Sequence, residues 1–159
     1  MSPIELSQNS ASESSTPMRD ARPGKRPLLV TLPLKVQTYD IDFAFHVNNQ
    51  VYVRWLEDLR MEVLREYYPL KRFMDAGIAP ILASTQINYK KAIGLYDEPV
   101  GRMWCTHLGR ATIWLEAEIC VGDDVCAHAI QRGMFLTLAT NKASRTPDAL
   151  MGYFEAGNA

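Results

Sequence analysis

The chain has 159 residues, a formal net charge of −1 at pH 7, 47% hydrophobic residues and 22% charged residues. This length predicts one domain, which can bury a sizeable core without disulfides or metal ions. The small net charge argues against nucleic acid as the main partner, because phosphate binding requires a concentrated basic face. No apolar run approaches the roughly 18 residues of a transmembrane helix, so no membrane span is predicted.

The N-terminal segment, residues 1–27, is rich in serine, proline and charged residues and poor in large apolar residues. This composition predicts a disordered leader. A transit peptide is the weaker interpretation, because such peptides are poor in acids and this segment contains Glu5, Glu13 and Asp20. We therefore expect a cytoplasmic protein.

The three cysteines, Cys105, Cys120 and Cys126, form no CxxC pair and lie in apolar segments. Their number and spacing do not suit a disulfide framework or a zinc site, so buried free thiols in a reducing compartment are expected. His107 lies two residues after Cys105, which is only a weak indication of a catalytic thiol. No metal site and no cofactor are predicted.

Alternating apolar residues predict a first strand, in which Val30, Leu32, Leu34 and Val36 share one face. Pro33 lies on the other face and cannot donate a ladder hydrogen bond. The strand is therefore expected at a sheet edge or with a bulge.

A long amphipathic helix is predicted within and after the polar stretch TYDIDFAFHVNNQVY. Apolar residues recur at every fourth position, at Val51, Trp55, Leu59, Val63 and Tyr67. Asn48 is a favourable N-cap, and Pro69 ends the periodic run. These signals place the helix at residues 49–67.

The remaining sequence predicts mainly strands. After a short helical turn or loop, strands are expected at residues 81–90, 100–109, 111–121 and 125–139. In the first of these, alternation places Ile81, Ala83, Ile87 and Tyr89 on one face. The GDD tripeptide forms a hairpin turn before the last strand, in which Gly133 is a candidate bulge.

Short connections between the strands predict antiparallel pairing. One long buried helix against one such sheet is an α+β arrangement. We therefore predict an antiparallel five-stranded sheet wrapped around one long central helix at residues 28–140, followed by a polar C-terminal tail at residues 141–159.

Acidic and amide side chains cluster where the helix begins. The motif reads Asp40-Ile41-Asp42 and His46-Val47-Asn48-Asn49, and continues along the helix with Tyr52, Trp55, Glu57 and Arg60. The motif and the order of elements resemble the hot-dog fold thioesterases, in the branch of 4-hydroxybenzoyl-CoA thioesterase and the acyl-CoA thioester hydrolases. The resemblance covers roughly residues 30–139.

The resemblance implies three catalytic candidates. Asp42 matches the family's catalytic carboxylate, and Asn49 lies where a backbone N–H at the helix start polarises the thioester carbonyl. His46 aligns with a functional residue of the similar plant acyl-ACP thioesterases. Two positions depart from the relatives: Phe45 stands where many have glycine, and Ala44 stands where the plant enzymes have a catalytic asparagine.

The other residues of the motif have structural as well as functional interpretations. Asn48, Tyr52 and Trp55 are substrate-binding candidates, although Asn48 also suits an N-cap and the two aromatic residues also suit the core. Asp40 is expected to be a solvated or helix-stabilising acid. Glu57 is expected to serve structure or a partner subunit.

A carboxylate such as Asp42 can act as a general base on water or attack a thioester carbonyl directly, and the sequence leaves both routes open. It also leaves open a purely turn-forming role, since aspartate favours turns.

The resemblance implies a thioesterase that acts on acyl- or aroyl-thioesters of CoA or of an acyl carrier protein, assembled as a homodimer or homotetramer with sites between subunits. CoA phosphates need two or three basic residues. Candidates at strand ends and loops are Lys90, Lys91, Arg110, Arg132, Lys142 and Arg145.

The alternative function is a non-catalytic acyl-thioester binding module with a hot-dog fold. A hot-dog dehydratase ranks lower, because its motif at the helix start differs.

Overall fold

The structure is a computed structural model that describes residues 19–159. Its strands are β1 (Arg19–Asp20), β2 (Val30–Pro33), β3 (Ile78–Tyr89), β4 (Val100–Leu108), β5 (Thr112–Val121) and β6 (Asp124–Thr137). Its helices are α1 (Asn49–Tyr67), α2 (Leu70–Asp75) and α3 (Asp148–Gly157). The prediction of α1 is confirmed at both ends. Within residues 19–159, no helix is both long and apolar enough to cross a membrane.

All strand pairs are antiparallel and form one sheet in the order β1-β4-β5-β6-β3, with β2 also paired to β4. The predicted α+β hot-dog fold, five strands and one long helix, is confirmed, and the two-residue β1 adds to it. β1 belongs to the segment predicted as a disordered leader, and residues 1–18 of that leader lie outside the described part. β3 ends the sheet, so its outer edge has no neighbour among the described strands.

The core lies between α1 and the inner face of the sheet. Trp55, Leu59 and Val63 of α1 are buried there, and all three cysteines are free and buried, as predicted. The helix approaches β4 closely at Gly101, where an added Cβ would lie 2.8 Å from Leu59 Cδ1. A glycine is needed at this point, because any side chain would push the helix away from the sheet.

β3 differs from its prediction in its start and in its alternation. It begins at Ile78 rather than at residue 81, and it contains a bulge between Leu82 and Ser84. A bulge shifts the alternation of side chains by one residue, so Ile81 lies on the opposite face from Ile87. The prediction that these two residues share a face is therefore wrong. The bulge expected at Gly133 of β6 lies instead on β3, opposite this glycine.

The segment after residue 140 is more than a polar tail, because it contains α3. Leu150 and Phe154 of this helix are buried in the core cluster. The Thr146 hydroxyl, also buried, donates to the Gly109 carbonyl at 2.7 Å. The C-terminal segment therefore closes one end of the core.

Candidate active site

The loop that leads into α1 is organised by a buried acid, Asp40. Its carboxylate accepts hydrogen bonds from the Gln37 N–H at 2.8 Å and from the Arg54 guanidinium at 3.0 Å. Asp40 is 2% exposed, so of the two expected roles the solvated acid is wrong, and its pairing with Arg54 agrees with the helix-stabilising one. Charge-assisted hydrogen bonds of this kind are about twice as strong as neutral ones, which offsets the burial. Asp40 thus ties the loop to the first turns of α1.

Backbone hydrogen bonds fold residues 41–48 into a compact turn. The Asn48 N–H donates to the Asp40 carbonyl at 2.8 Å, and the Asp42 N–H donates to the His46 carbonyl at 2.9 Å. The Ala44 N–H donates to Asp42 Oδ1 at 2.9 Å. Within residues 19–159, Oδ2 of Asp42 has no hydrogen-bond partner. One carboxylate oxygen is therefore anchored, and the other is available for chemistry.

The helix start leaves a backbone donor at the same place. Asn48 caps α1, since its Oδ1 accepts the Gln50 N–H at 2.9 Å. Asn49 is the first helical residue, and its N–H has no helical acceptor. Among the described residues, none provides an acceptor for it. The N–H lies at the positive end of the helix dipole, which favours a negatively charged oxygen there.

A cavity of about 230 Å³ brings most of the predicted site together, and we call it the catalytic cavity. Its lining residues are Asp42, His46, Val47, Asn49, Tyr52, Tyr89, Lys90, Lys91 and Ala92. All three catalytic candidates line it, as does one of the three substrate-binding candidates. Of the six basic candidates for CoA phosphates, Lys90 and Lys91 line it and the other four do not.

Asn48 and Trp55, the other two substrate-binding candidates, do not line the catalytic cavity. The Asn48 side chain is occupied by the helix cap. Trp55 is 2% exposed and packs edge-on against Tyr52, with ring centroids 5.3 Å apart. Asn48 therefore stabilises the start of α1, and Trp55 packs in the core against Tyr52, which lines the cavity.

Tyr89, at the end of β3, was missed by the sequence analysis as a site residue. Its hydroxyl donates to the Asn49 carbonyl at 3.2 Å, and its ring lies edge-on to Tyr52 at 5.0 Å. Burial, with smaller contributions from Cys126 and Tyr89, raises the pKa of Tyr52 to about 12, so its hydroxyl stays protonated at neutral pH. The only sequence signal for Tyr89 was its place at a strand end, just before two lysines.

A second cavity of about 250 Å³, which we call the apolar cavity, lies near the other end of β3. Its lining includes Leu64, Pro80, Leu82, Ile113, Met134 and Phe135. Glu57 and Arg60 are polar members of the lining, and they form an ion pair with each other. The Arg60 guanidinium also donates to Gln131 Oε1 at 2.9 Å, and burial lowers its pKa.

Phe45 occupies a strained backbone position in the loop, with φ at +61°. A left-handed conformation costs a non-glycine residue roughly 1–2 kcal/mol. The Phe45 ring is 83% exposed and therefore recovers little of this cost by packing. The turn therefore keeps a left-handed geometry that favours glycine, and Phe45 adopts it at a cost in stability.

We expect Phe45→Gly to be about 1–2 kcal/mol more stable than Phe43→Gly, because only the first change relieves left-handed strain. Phe43 is a matched control, since its ring is also exposed and its φ is not positive. Urea unfolding of both variants and the wild type measures the difference. Equal losses of stability in the two variants would contradict the assignment of strain to Phe45.

Solved structures share this fold at low sequence identity. A thioesterase from Thermus thermophilus complexed with coenzyme A and zinc is 20% identical, with a TM-score of 0.71 over 83% of this chain and 95% of that chain. A 1,4-dihydroxy-2-naphthoyl-CoA thioesterase from Synechocystis is 16% identical, with a TM-score of 0.72 over 79% and 95%. A hypothetical protein from Aquifex aeolicus is 22% identical, with a TM-score of 0.70 over 80% and 99%.

A sequence search of curated proteins returns no match. The family model of the thioesterase-like superfamily matches residues 36–154, a span that includes the loop, α1 and the long strands β3 to β6. With the sheet wrapped around α1 and the acid at the helix start, this match assigns the family. The chain belongs to the thioesterase-like superfamily.

Proposed function

We propose that the protein hydrolyses acyl- or aroyl-thioesters of CoA, or of an acyl carrier protein, to a free acid and a thiol. This proposal rests on the fact that Asp42 and Asn49, the first residue of α1, line the same cavity. A thioester carbonyl placed there would have a carboxylate on one side and a backbone donor on its oxygen. These are the two groups that acyl transfer to water requires.

The Asn49 N–H supplies electrostatic stabilisation of the oxyanion, aided by the helix dipole. Loss of one such donor typically costs about 2.7–4 kcal/mol of transition-state stabilisation. The donor is held in place by the Asn48 cap and by the hydrogen bond from Tyr89 to the Asn49 carbonyl. The helix start is thus preorganised for the charge that develops on the carbonyl oxygen.

Asp42 completes the reaction by one of two routes. As a general base, it takes a proton from water while the water oxygen bonds to the carbonyl carbon, after which the C–S bond breaks and the thiolate leaves. As a nucleophile, it attacks the same carbon, the C–S bond breaks and the thiolate leaves, and water then cleaves the resulting anhydride to release the acid and restore the carboxylate. His46 is exposed in the same cavity and is a proposed partner for the attacking water.

Lys90 and Lys91 favour a negatively charged carrier for the thiol. Both line the catalytic cavity, next to the end of β3. Lys91 pairs with Asp124, whereas Lys90 adds a charge at the cavity edge. The phosphates of CoA or of a carrier-bound pantetheine would meet these charges as the thioester enters.

The free edge of β3 supports a homodimer in which each site uses two copies. A strand edge of 12 residues presents unpaired backbone donors and acceptors, which a second β3 can satisfy by antiparallel pairing. Pairing centred at Ser84 would set Ser84 of the two copies opposite each other and Tyr89 of one copy across from Ala79 of the other, next to Pro80. The catalytic cavity of one copy would then adjoin the apolar cavity of its neighbour, since Tyr89 lines the first and Pro80 the second.

We expect Ser84→Glu to yield monomers, because the two introduced carboxylates would face each other across the two-fold axis. The molar mass from light scattering should halve and hydrolysis should fall, while circular dichroism stays as in the wild type. Thr31→Glu on β2, which is also exposed, is the matched control and should change neither mass nor rate. A Ser84→Glu protein that kept the wild-type mass would rule out this edge as the interface.

Release of free thiol from a panel of acyl- and aroyl-CoA and acyl-carrier-protein thioesters tests the proposed activity. Hydrolysis is expected to follow saturation kinetics and to require the Asp42 carboxylate. Binding of these thioesters without thiol release would instead show a binding module with the same fold. The absence of both binding and thiol release would overturn the proposal.

A further inference from the structure

The apolar cavity is the more enclosed of the two cavities and is lined mainly by side chains without charge. Its two charged lining residues, Glu57 and Arg60, are paired with each other. Gln131, which accepts from Arg60, is buried and donates in turn to Thr85 Oγ1 at 3.0 Å. The two charged groups of the lining are thus paired with each other, and Arg60 is bonded to Gln131 as well.

We propose that the apolar cavity, which adjoins the catalytic cavity of a second copy in the proposed dimer, limits the acyl group to an uncharged hydrocarbon or aromatic group of about eight to ten carbons. This inference rests on the proposed function and goes beyond it by assigning the substrate class. It also assigns specificity to residues of the cavity wall, in particular Met61 and Leu70.

The size follows from the cavity volume. A cavity of about 150 Å³ lined by aliphatic side chains accepts benzene, which has six carbons. The apolar cavity is about 250 Å³, which corresponds by proportion to roughly ten carbons. The buried side chains Phe135 and Leu150 close the cavity on the core side, so a longer chain has no room to continue.

The selection against charge follows from the hydrogen bonds of the lining. A carboxylate at the far end of an acyl group would lose its hydration in this cavity, and such a loss is costly without a partner. Arg60 is the nearest cation, but its guanidinium is already engaged by Glu57 and Gln131. Dicarboxylic acyl groups should therefore be poor substrates.

The test compares kcat/KM for straight-chain acyl-CoAs from two to sixteen carbons, with benzoyl-CoA and adipoyl-CoA added. We expect kcat/KM to rise about fourfold per methylene, the fold-change for burying one CH₂, up to about eight to ten carbons and to fall beyond that. Adipoyl-CoA should be about tenfold or more worse than hexanoyl-CoA. A maximum at two to four carbons, a steady rise to sixteen, or equal use of adipoyl-CoA would overturn the inference.

Two substitutions reduce the cavity without touching the catalytic groups. Met61→Trp and Leu70→Phe should move the optimum to shorter chains and lower kcat/KM for decanoyl-CoA by about tenfold or more relative to butyryl-CoA. Both residues are partly exposed, so the fold tolerates a larger side chain. Met74→Trp, at an exposed methionine outside the cavity, is the matched control and should leave the profile unchanged. An unchanged profile in both cavity variants would contradict the assignment.

Mixed assemblies test whether the cavity acts across copies. Asp42→Asn and Met61→Trp chains, each slow on decanoyl-CoA, are unfolded and refolded together. A site shared between copies predicts recovery of about a quarter of the wild-type rate, since half of the random dimers contain one intact site of two. No recovery would place the two cavities in separate sites.

Binding of S-alkyl-CoA thioethers, which cannot be hydrolysed, separates this inference from the proposed activity. Tightest binding at about eight to ten carbons with no turnover of any thioester would uphold the size limit and overturn hydrolysis. Turnover of the thioesters, with tightest thioether binding outside eight to ten carbons, would uphold hydrolysis and overturn the size limit.

Discussion

Replacing Asp42 with asparagine is expected to lower kcat for thioester hydrolysis by about 10²–10⁴-fold, the usual contribution of a positioned acid or base. The amide keeps the shape of the carboxylate, and its oxygen can still accept the Ala44 N–H that anchors Asp42 Oδ1. It cannot take a proton from water or form an anhydride. Steady-state kinetics of thiol release, with unfolding curves for both proteins, measure the effect.

The matched control is Asp58→Asn, which removes an exposed aspartate of α1 outside the catalytic cavity and should leave kcat within a factor of two. An Asp42→Asn enzyme that hydrolysed as fast as the wild type would eliminate the proposed mechanism. Turnover in heavy-oxygen water separates the two routes further, because label found in the Asp42 carboxylate identifies direct attack on the thioester.

The second large effect is expected from Asn49→Pro, which removes a single backbone N–H. Proline is well tolerated at the first position of a helix, where the N–H has no helical acceptor. The preceding residue, Asn48, already has the extended backbone that a following proline requires, with φ −60° and ψ 141°. We expect kcat to fall by about 10²–10³-fold with little change in stability, because the oxyanion loses its donor.

Asn49→Ala provides the control for this substitution. It removes the side chain and keeps the N–H, so kcat should stay near the wild-type value. If the alanine variant were as slow as the proline variant, the asparagine side chain rather than the backbone would be the functional group. Unfolding in urea, run on both, excludes loss of α1 as the cause.

The sequence was sufficient to predict the parts of the site that are local. α1 has its cap, its apolar period and its terminating proline within one stretch, and it begins and ends where predicted. Asp42, His46, Asn49 and Tyr52 lie within 11 consecutive residues at its start, so one turn and one helix suffice to bring them together.

The parts that were missed depend on contacts between distant residues. Tyr89 reaches the site because β3 ends beside the helix start, 40 residues from Asn49 along the chain. Asp40 is buried because Arg54, 14 residues later, pairs with it. The bulge in β3 is set by its register against β6. None of these pairings leaves a periodic signal in the sequence.

α3 is a different case, because its signal was local and was overlooked. Pro147 and Asp148 suit a helix start, and Leu150 and Phe154 have the four-residue spacing of one buried face. The polar residues just before it, from Thr140 to Thr146, dominated the interpretation of the segment.

The free edge of β3 also bears on the solubility of the chain. A long strand edge that exposes Ile81, Leu82 and Tyr89 is the kind of surface on which misfolded chains stack into aggregates. Proline at position 80 gives only partial protection, at one end of the strand. Pairing with a second copy would cover this edge, so the contact proposed to complete the site would also guard newly made protein against aggregation.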